Sequence, residues 1–341
     1  MTLLSMAVIG AWGHSVDVLA QTETMPGIRI AAMARVFPDD DFGPWRQRFT
    51  KAAESRMYSD YRDLLRREPP DIVVIGTRLD RISEIAMDAA RAGCHLICEK
   101  PLASNLDRFE ALRAEVEKRG IACISMLANS DQPAFQVAAE SVRRGDIGSV
   151  AQAHVRKTYK WGVRPTWFGD PDIYPGTIPW VGIHALDILA HVTGLSPVRI
   201  AAQHGNTTHP SHPGCQDRAE LLLELPGGAG ASISVDYLRP ETATTHGDDY
   251  IRVSGSLGQI EAFADRGEGG ICELTDRNGR RPMPLPPGGN VYQDFIRDIA
   301  DAKHTELQEK TRAAFNRTIW CLRAHQAAVT RTIQVVQPAE R

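Results

Sequence analysis

The sequence predicts an α/β protein in two parts: a doubly wound parallel sheet over residues 1–128, then an α+β domain over 129–335 with a large open sheet, mostly antiparallel or mixed. Three observations predict it. The chain has 341 residues, more than the ~250 to 300 that one hydrophobic core usually serves. From residue 4 to 127, short apolar runs alternate with helical segments, the pattern of a parallel sheet covered on both faces. Beyond 129, long stretches of alternating polarity follow one another with turns but few helices between them, as in a sheet with one open face.

In the first part strands fit 4–9, 28–34, 71–76, 95–98 and 122–125, each ending at a polar residue or glycine. Ser59 or Asp60 caps a helix that Pro69 and Pro70 end, and Asn105 or Asp107 starts one that Gly120 closes. A helix over 133–144, closed by Gly145, opens the second part, and strands follow at 151–159, 220–225, 231–237, 250–254 and 259–262. The Pro- and Gly-rich stretch 281–290 reads as a loop, and 292–331 as a C-terminal helix.

Hydrophobic residues make up 43% and charged residues 24%, which disfavours disordered, collagenous and coiled-coil classes. With 39 Lys and Arg against 42 Asp and Glu the formal charge is -3, so no nucleic-acid partner is expected. No apolar run nears the ~18 residues that span a bilayer, so no membrane role is expected either. The apolar start, 1–20, has no Lys or Arg and reads as a first strand and turn rather than a leader. Cys94, Cys98, Cys123, Cys215, Cys272 and Cys321 form no paired framework; they read as reduced thiols, and a cytoplasmic location is the default expectation.

After the first strand stands Gly10-Ala11-Trp12-Gly13-His14-Ser15, where a dinucleotide fold sets a tight turn and a helix N-terminus against a pyrophosphate. Only the first glycine of G-x-G-x-x-G is met, since Trp12 and Ser15 hold the other two positions, and a plain strand-to-helix turn fits as well. Where the second strand ends, an acid would bind a ribose 2'-hydroxyl, but Arg35 stands there. Its guanidinium suits a 2'-phosphate and tilts the expectation to NADP; Asp39, Asp40 or Asp41 supplies the acid instead if the loop folds back, and a solvated loop charge is the plain alternative.

Further on come Asp71-Ile72-Val73-Val74-Ile75-Gly76-Thr77 and His95-Leu96-Ile97-Cys98-Glu99-Lys100-Pro101-Leu102 with its Glu-Lys-Pro. Asn129, Gly145-Asp146-Ile147-Gly148, Trp167 ahead of Gly176-Thr177, Gly182-Ile183-His184-Ala185-Leu186-Asp187 and His246-Gly247-Asp248-Asp249 follow. In this order, over about 4–335, the chain resembles the Gfo/Idh/MocA family of NAD(P)-dependent oxidoreductases. The resemblance implies a Rossmann domain, NAD or NADP as cofactor, and hydride transfer at a secondary alcohol of a sugar, cyclitol or related polyol. It implies Lys100 and His184 as catalytic residues, and Gly10, Ala11, Trp12, Gly13, His14, Arg35, Thr77, Leu79, Glu99, Lys100 and Asn129 around the cofactor. Trp161, Arg164, Trp167, Trp180, Asp187, His246 and Asp249 are the substrate-side candidates, and a homodimer or homotetramer through the open sheet is expected.

The residues support the same chemistry. Glu99-Lys100 lies just past a parallel strand, where open α/β sheets take ligands, and a lysine point charge there favours an alkoxide. A histidine near pKa ~6.5 can exchange the hydroxyl proton, and Asp187 is one helical turn on. Two departures stand out. Many relatives carry an aspartate four residues before the histidine, where this chain has Trp180, so either Lys100 and His184 suffice or redox turnover is altered. Relatives often continue Thr77 with Pro-Pro-x-x-His, whereas this chain has Arg78-Leu79-Asp80-Arg81; backbone contacts from Thr77 and Leu79 survive that change, and Arg78 and Arg81 are left outside the site.

His204, His209, His212 and Cys215 match no usual ligand spacing, so no metal is expected. Two rival functions remain open at this stage: transient redox that drives elimination, isomerisation or glycoside cleavage, and a non-enzymatic nucleotide-sensing co-regulator.

Overall fold

The computed structural model describes residues 3–336, which fall into two compact units. The first takes the chain up to residue 126 together with Asn290–Thr318; the second takes Leu127–Gly289 and the chain from Ile319 on. Residues 290–318, expected in the second domain, thus group with the first unit.

In the first unit six strands form a parallel sheet: β1 (Leu4–Ile9), β2 (Ile28–Ala34), β3 (Arg56–Tyr58), β4 (Ile72–Ile75), β5 (His95–Cys98) and β6 (Cys123–Ser125). Their order is β3-β2-β1-β4-β5-β6. Helices α1 (Ser15–Glu23), α2 (Gly43–Arg48), α3 (Thr50–Ala53), α4 (Tyr61–Arg67), α5 (Ile82–Arg91) and α6 (Leu106–Arg119) connect the strands. β4 is buried along its whole length, as a strand covered on both faces must be, and α5 turns Ile82, Ile85, Ala86 and Ala89 inward. The strand order reverses between β1 and β4, so the loops after these two strands meet at the switch point of the sheet.

The helix ends are set by the expected signals. Asp60 accepts the Arg62 N–H at 2.9 Å, Asn105 accepts that of Arg108 at 2.9 Å, and Gly120 closes α6 at φ +62°. β3 was not expected; it is a three-residue edge strand with Arg56 and Met57 exposed, too short and too polar to show a period.

The second unit opens with α7 (Pro133–Arg144), closed by Gly145 in the left-handed region. Its sheet contains β7 (Val150–Lys160), β8 (Arg199–Gly205), β9 (Arg218–Glu224), β10 (Gly230–Arg239), β11 (Tyr250–Gly255), β12 (Gly258–Phe263), β13 (Ile271–Asp276), β14 (Gly279–Pro282) and β15 (Gln334–Val335). The order is β14-β13-β12-β11-β7-β10-β9-β8-β15, and only β10 on β7 is a parallel pair, so the sheet is mixed. On β9 and β10 Ala219, Leu221, Leu223, Ile233, Val235 and Tyr237 point to the covered face, and Glu220, Leu222 and Glu224 to the open one. The helix α8 (Ile183–Thr193) packs on β7, β10 and β11.

Two expectations change here. The start of the stretch read as a loop, 281–290, is the end of β14 paired on β13. The tail is not one helix but two, α9 (Val291–Ala300) and α10 (His304–Thr330), with Ala302 between them at φ +52°. The break forms where the buried carboxylate of Asp298 takes hydrogen bonds from Lys303 at 3.1 Å and from Lys310, an attraction that outweighs the strain of a left-handed alanine.

Candidate active site

In the first unit the candidate residues stand at strand ends. Gly10 follows β1, Arg35 follows β2, Thr77 lies two residues past β4, and Glu99 and Lys100 follow β5. Gly10 sits at φ +82°, and a Cβ there would collide with the Gly76 carbonyl, which accepts the Trp12 N–H at 3.0 Å. A glycine is required there for both reasons. A Cβ on Gly76 would in turn strike Ser15, so the close approach of α1 to β4 is secured by Gly76 against a small, buried Ser15. The sequence has no third glycine because the strand across from the helix carries it.

Gly13, at φ +70°, has a different use. A Cβ on it would occupy the Glu99 carboxylate. That carboxylate is fully buried; it accepts the His14 N–H at 2.7 Å, faces His14 Nδ1 at 2.9 Å and accepts the Lys100 N–H at 2.9 Å. Burial pushes its pKa up, but His14 and Lys100 pull it down further, and it lies below the ordinary carboxylate range. Glu99 therefore ties the start of α1 to the end of β5. Lys100 itself is 1% exposed, and the Lys100–Pro101 peptide is cis.

The loop after β2 folds back, as the alternative reading of the aspartates allowed. Asp40 accepts the N–H groups of Val36 at 2.7 Å, Phe37 at 2.9 Å and Ala11 at 3.3 Å, so it staples this loop to the glycine turn. Arg35 is exposed and has no ion pair among the described residues. Arg78, left outside the site on sequence grounds, lies 4.3 Å over the Phe37 ring and is paired twice with Asp80; only its contact across loops made it visible. Thr77 and Leu79 are buried, and Thr77 Oγ1 has no hydrogen-bond partner among the described residues. Two positive-φ glycines, a helix N-terminus at the switch point and this orphaned hydroxyl fit a bound dinucleotide.

In the second unit His184 is the second residue of α8, which directly follows a π-helical turn, Ile178–Gly182. Such turns recur beside functional residues. His184 is 6% exposed. The side-chain amide of Asn129 lies 3.3 Å from His184 Nδ1 and donates to Asp187 Oδ2 at 3.1 Å. An amide nitrogen that serves both partners is a donor to both, so Nδ1 is the acceptor and the hydrogen of the neutral imidazole is on Nε2. Asn129, named from sequence for the cofactor, is here the group that sets the histidine.

The substrate-side candidates divide. Trp180, in the π turn, is buried and packs edge-on against Phe168 at 6.3 Å, and Trp167 lies 4.7 Å from the same ring. Trp161 stacks on His209 at 3.8 Å, with the His209 ring bonded to Asp217 at 3.2 Å. The His/Cys stretch questioned as a metal site thus supplies a wall of this aromatic group; His204 lies apart, beside His325. Arg164 lies 4.5 Å over the Tyr237 ring, and His246 stacks on Tyr159 at 4.9 Å. Asp249 is paired with Lys157, both buried, and burial pushes its pKa up against the pull of the lysine. Lys157 was not singled out from the sequence, where it is an ordinary strand lysine.

Comparison with known proteins agrees with this layout. Residues 6–126 match the model of an oxidoreductase family with an NAD-binding Rossmann fold, and residues 135–261 match the GFO/IDH/MocA C-terminal domain. D-apiose dehydrogenase of Paraburkholderia graminis is 26% identical over 242 residues, 68% of this chain but only 60% of that protein's length. Inositol 2-dehydrogenase 2 of Saccharopolyspora erythraea is 26% identical over 311 residues, 89% of this chain and 83% of that one. A solved protein of Thermotoga maritima, 29% identical, superposes with a TM-score of 0.88 over 98% of this chain and 100% of its own. The glycine turn and the strand-end lysine fall under one family model and the His184 helix under the other, and the chain belongs to the Gfo/Idh/MocA family of oxidoreductases.

Proposed function

We propose that this chain is an NAD(P)-dependent dehydrogenase that transfers a hydride between a secondary alcohol carbon of a sugar, cyclitol or related polyol and the nicotinamide. The observation that carries this reading is His184, buried and held in one tautomer by Asn129. A buried histidine beside Asp187, in a chain that also buries Lys100, suits proton chemistry at an alcohol, and a nucleotide sensor needs neither group. When bound, the nicotinamide supplies the hydride acceptor or donor. The turn Gly10-Ala11-Trp12-Gly13-His14, with Arg35, Thr77 and Leu79, would hold the dinucleotide, and Glu99 would act by holding His14 and Lys100 in place. Lys100 stabilises the negative oxygen that forms at the reacting carbon and, as the ammonium, gives it a proton in the reductive direction to leave the neutral amine, while the Nε2–H of His184 donates a hydrogen bond to the same oxygen without leaving the ring. Asp187 and the aromatic group around Trp161 and Arg164 bind substrate.

Arg35 supports NADP, since it is exposed and without an acidic partner while Asp40 is spent on three backbone N–H groups. The first test is a titration with NADH and NADPH followed by nicotinamide fluorescence. Selective NADPH binding is expected. Binding of neither form would overturn the dehydrogenase reading.

A second reading keeps the cofactor without net redox, because a buried tryptophan occupies the position where many relatives carry an aspartate. Dehydrated, isomerised or cleaved sugar with no net reduced nicotinamide would favour it. The open face of the mixed sheet is proposed as the surface of a homodimer or homotetramer.

A further inference from the structure

The end of β7 and the segment after it gather basic groups whose neighbouring acids are bonded to other residues. Lys160, Arg164 and His246 lie together here, and neither Lys160 nor Arg164 has an ion pair among the described residues. The carboxylates beside them have other partners: Asp249 pairs with Lys157, Asp248 with Arg156 and Arg239, and Asp265 accepts the Asp249 N–H. Asp217 accepts the Thr207 and Thr208 N–H groups and the Thr208 hydroxyl, and Glu241 accepts the Gly162 N–H at 2.9 Å. The His246 ring registers the surplus: burial, and then the charges of Arg164, Lys157 and Lys160, hold it below its ordinary range, with Glu241 acting in the opposite sense.

Arg164 is, of these cations, the one with the most ring contacts. Its guanidinium lies 4.5 Å over Tyr237, 5.5 Å from the Phe168 ring and 6.0 Å from Trp161. Tyr237 and Phe168 are each 1% exposed, so these walls do not yield easily. The hydrogen bond from Nη2 to the Lys160 carbonyl, at 3.1 Å, uses one of five N–H donors, and Nε is buried without a partner among the described residues. A planar cation held between rings and short of acceptors is built for a planar or tetrahedral oxyanion, and partial removal from water strengthens such a pair. Phe168 also packs on Trp180, one turn before His184, so this cation belongs to the same aromatic cluster as the proposed catalytic segment of its unit.

We infer that the substrate carries an anionic oxygen group, a carboxylate or a phosphate on the sugar or polyol, and that Arg164 binds it with Lys160 nearby. This rests on the dehydrogenase reading and narrows it to acidic sugars. A neutral polyol leaves the guanidinium uncompensated, whereas an acid satisfies it, and sites built around a charged donor discriminate strongly against ligands that lack the partner.

Calorimetric titration of the full chain, with saturating NADH or NADPH, against D-gluconate, D-glucuronate and D-glucose 6-phosphate, each beside neutral D-glucitol and D-glucose, tests this. At least one anionic ligand is expected to bind roughly tenfold or more tightly than its neutral counterpart. R164Q is expected to erase that ratio. Whether gluconate and glucuronate or the phosphate leads identifies which anion the site takes. Equal binding of neutral and acidic sugars, a preference that survives R164Q, or no binding of any acid overturns the inference. Should R164Q fail to fold, R164K, which keeps the charge but loses the planar fork, is expected to keep the preference at weaker affinity. Failure of the cofactor to bind, with the acid preference intact, would instead count against the dehydrogenase reading alone.

Discussion

At the scale of single residues, Asn129 decides what His184 can do. With the amide donating to Nδ1 and to Asp187, the neutral ring carries its hydrogen on Nε2. Asn129→Asp replaces that donor by an acceptor, favours the other tautomer, and sets a second carboxylate against Asp187. Turnover is expected to fall by at least ~10-fold, with cofactor affinity little changed, because Nε2 then carries no hydrogen to donate to the reacting oxygen. Unchanged turnover would show that Nδ1 is not what this residue controls. Lys100→Met and His184→Ala are expected to lower turnover by roughly 100-fold or more each, and full activity in either variant would remove that residue from the mechanism. The sequence names Lys100, His184 and Asn129, but it assigns Asn129 to the cofactor, because a side-chain bridge across 55 residues leaves no trace in spacing.

The same contrast recurs for secondary-structure elements. Strands β1, β2 and β5 were legible to the residue because a buried parallel strand is a continuous apolar run, and α4, α6 and α7 because their caps are local. The π turn before α8 and the break before α10 were not, since one depends on a buried aromatic cluster and the other on a buried carboxylate. One contact between elements also gives a pH response. His325 of α10 and His204 of β8 lie 5.3 Å apart, and burial first, then the neighbouring ring, pushes His325 down to about 4. Burial lowers His204 in the same direction.

Both rings take up a proton less readily in the fold than in the unfolded chain. The unfolded state therefore binds more protons as pH falls from ~6.5 towards 4, and stability declines across that window by about 1 to 3 kcal/mol for His325. Glu99, with its pKa lowered, loses its contribution only in more acidic solution, below the ordinary carboxylate range. Melting curves from pH 7 to 5 are expected to show a falling midpoint that His325→Gln flattens. An equal slope in the variant would assign the response elsewhere, for instance to His95, which burial also lowers.

For the molecule as a whole, the large mixed sheet poses the remaining question, because only one of its faces is covered by helices of its own unit. On the open face the register sets Ser232 between His154 and Leu222, with Ala201 beyond, a row of small or polar side chains around one leucine that is 65% exposed. Val198, Ile333 and Val335 add exposed apolar area near the β8 and β15 edge. A face with scattered apolar groups, whose charges pair within it as Arg199 does with Glu224 and Arg218 with Glu220, suits an isologous contact, in which the same row meets its own copy about a two-fold axis. Leu222 would then meet the partner twice over, once from each copy, so a charge there is doubled at the interface. Leu222→Glu is expected to convert a dimer or tetramer to a smaller species in light scattering at micromolar concentration, with the melting curve of the separated chains still cooperative. A wild-type chain that scatters as a monomer at every concentration, or a variant of unchanged mass, would remove this face as the interface and leave the exposed leucine as a solvated sheet residue.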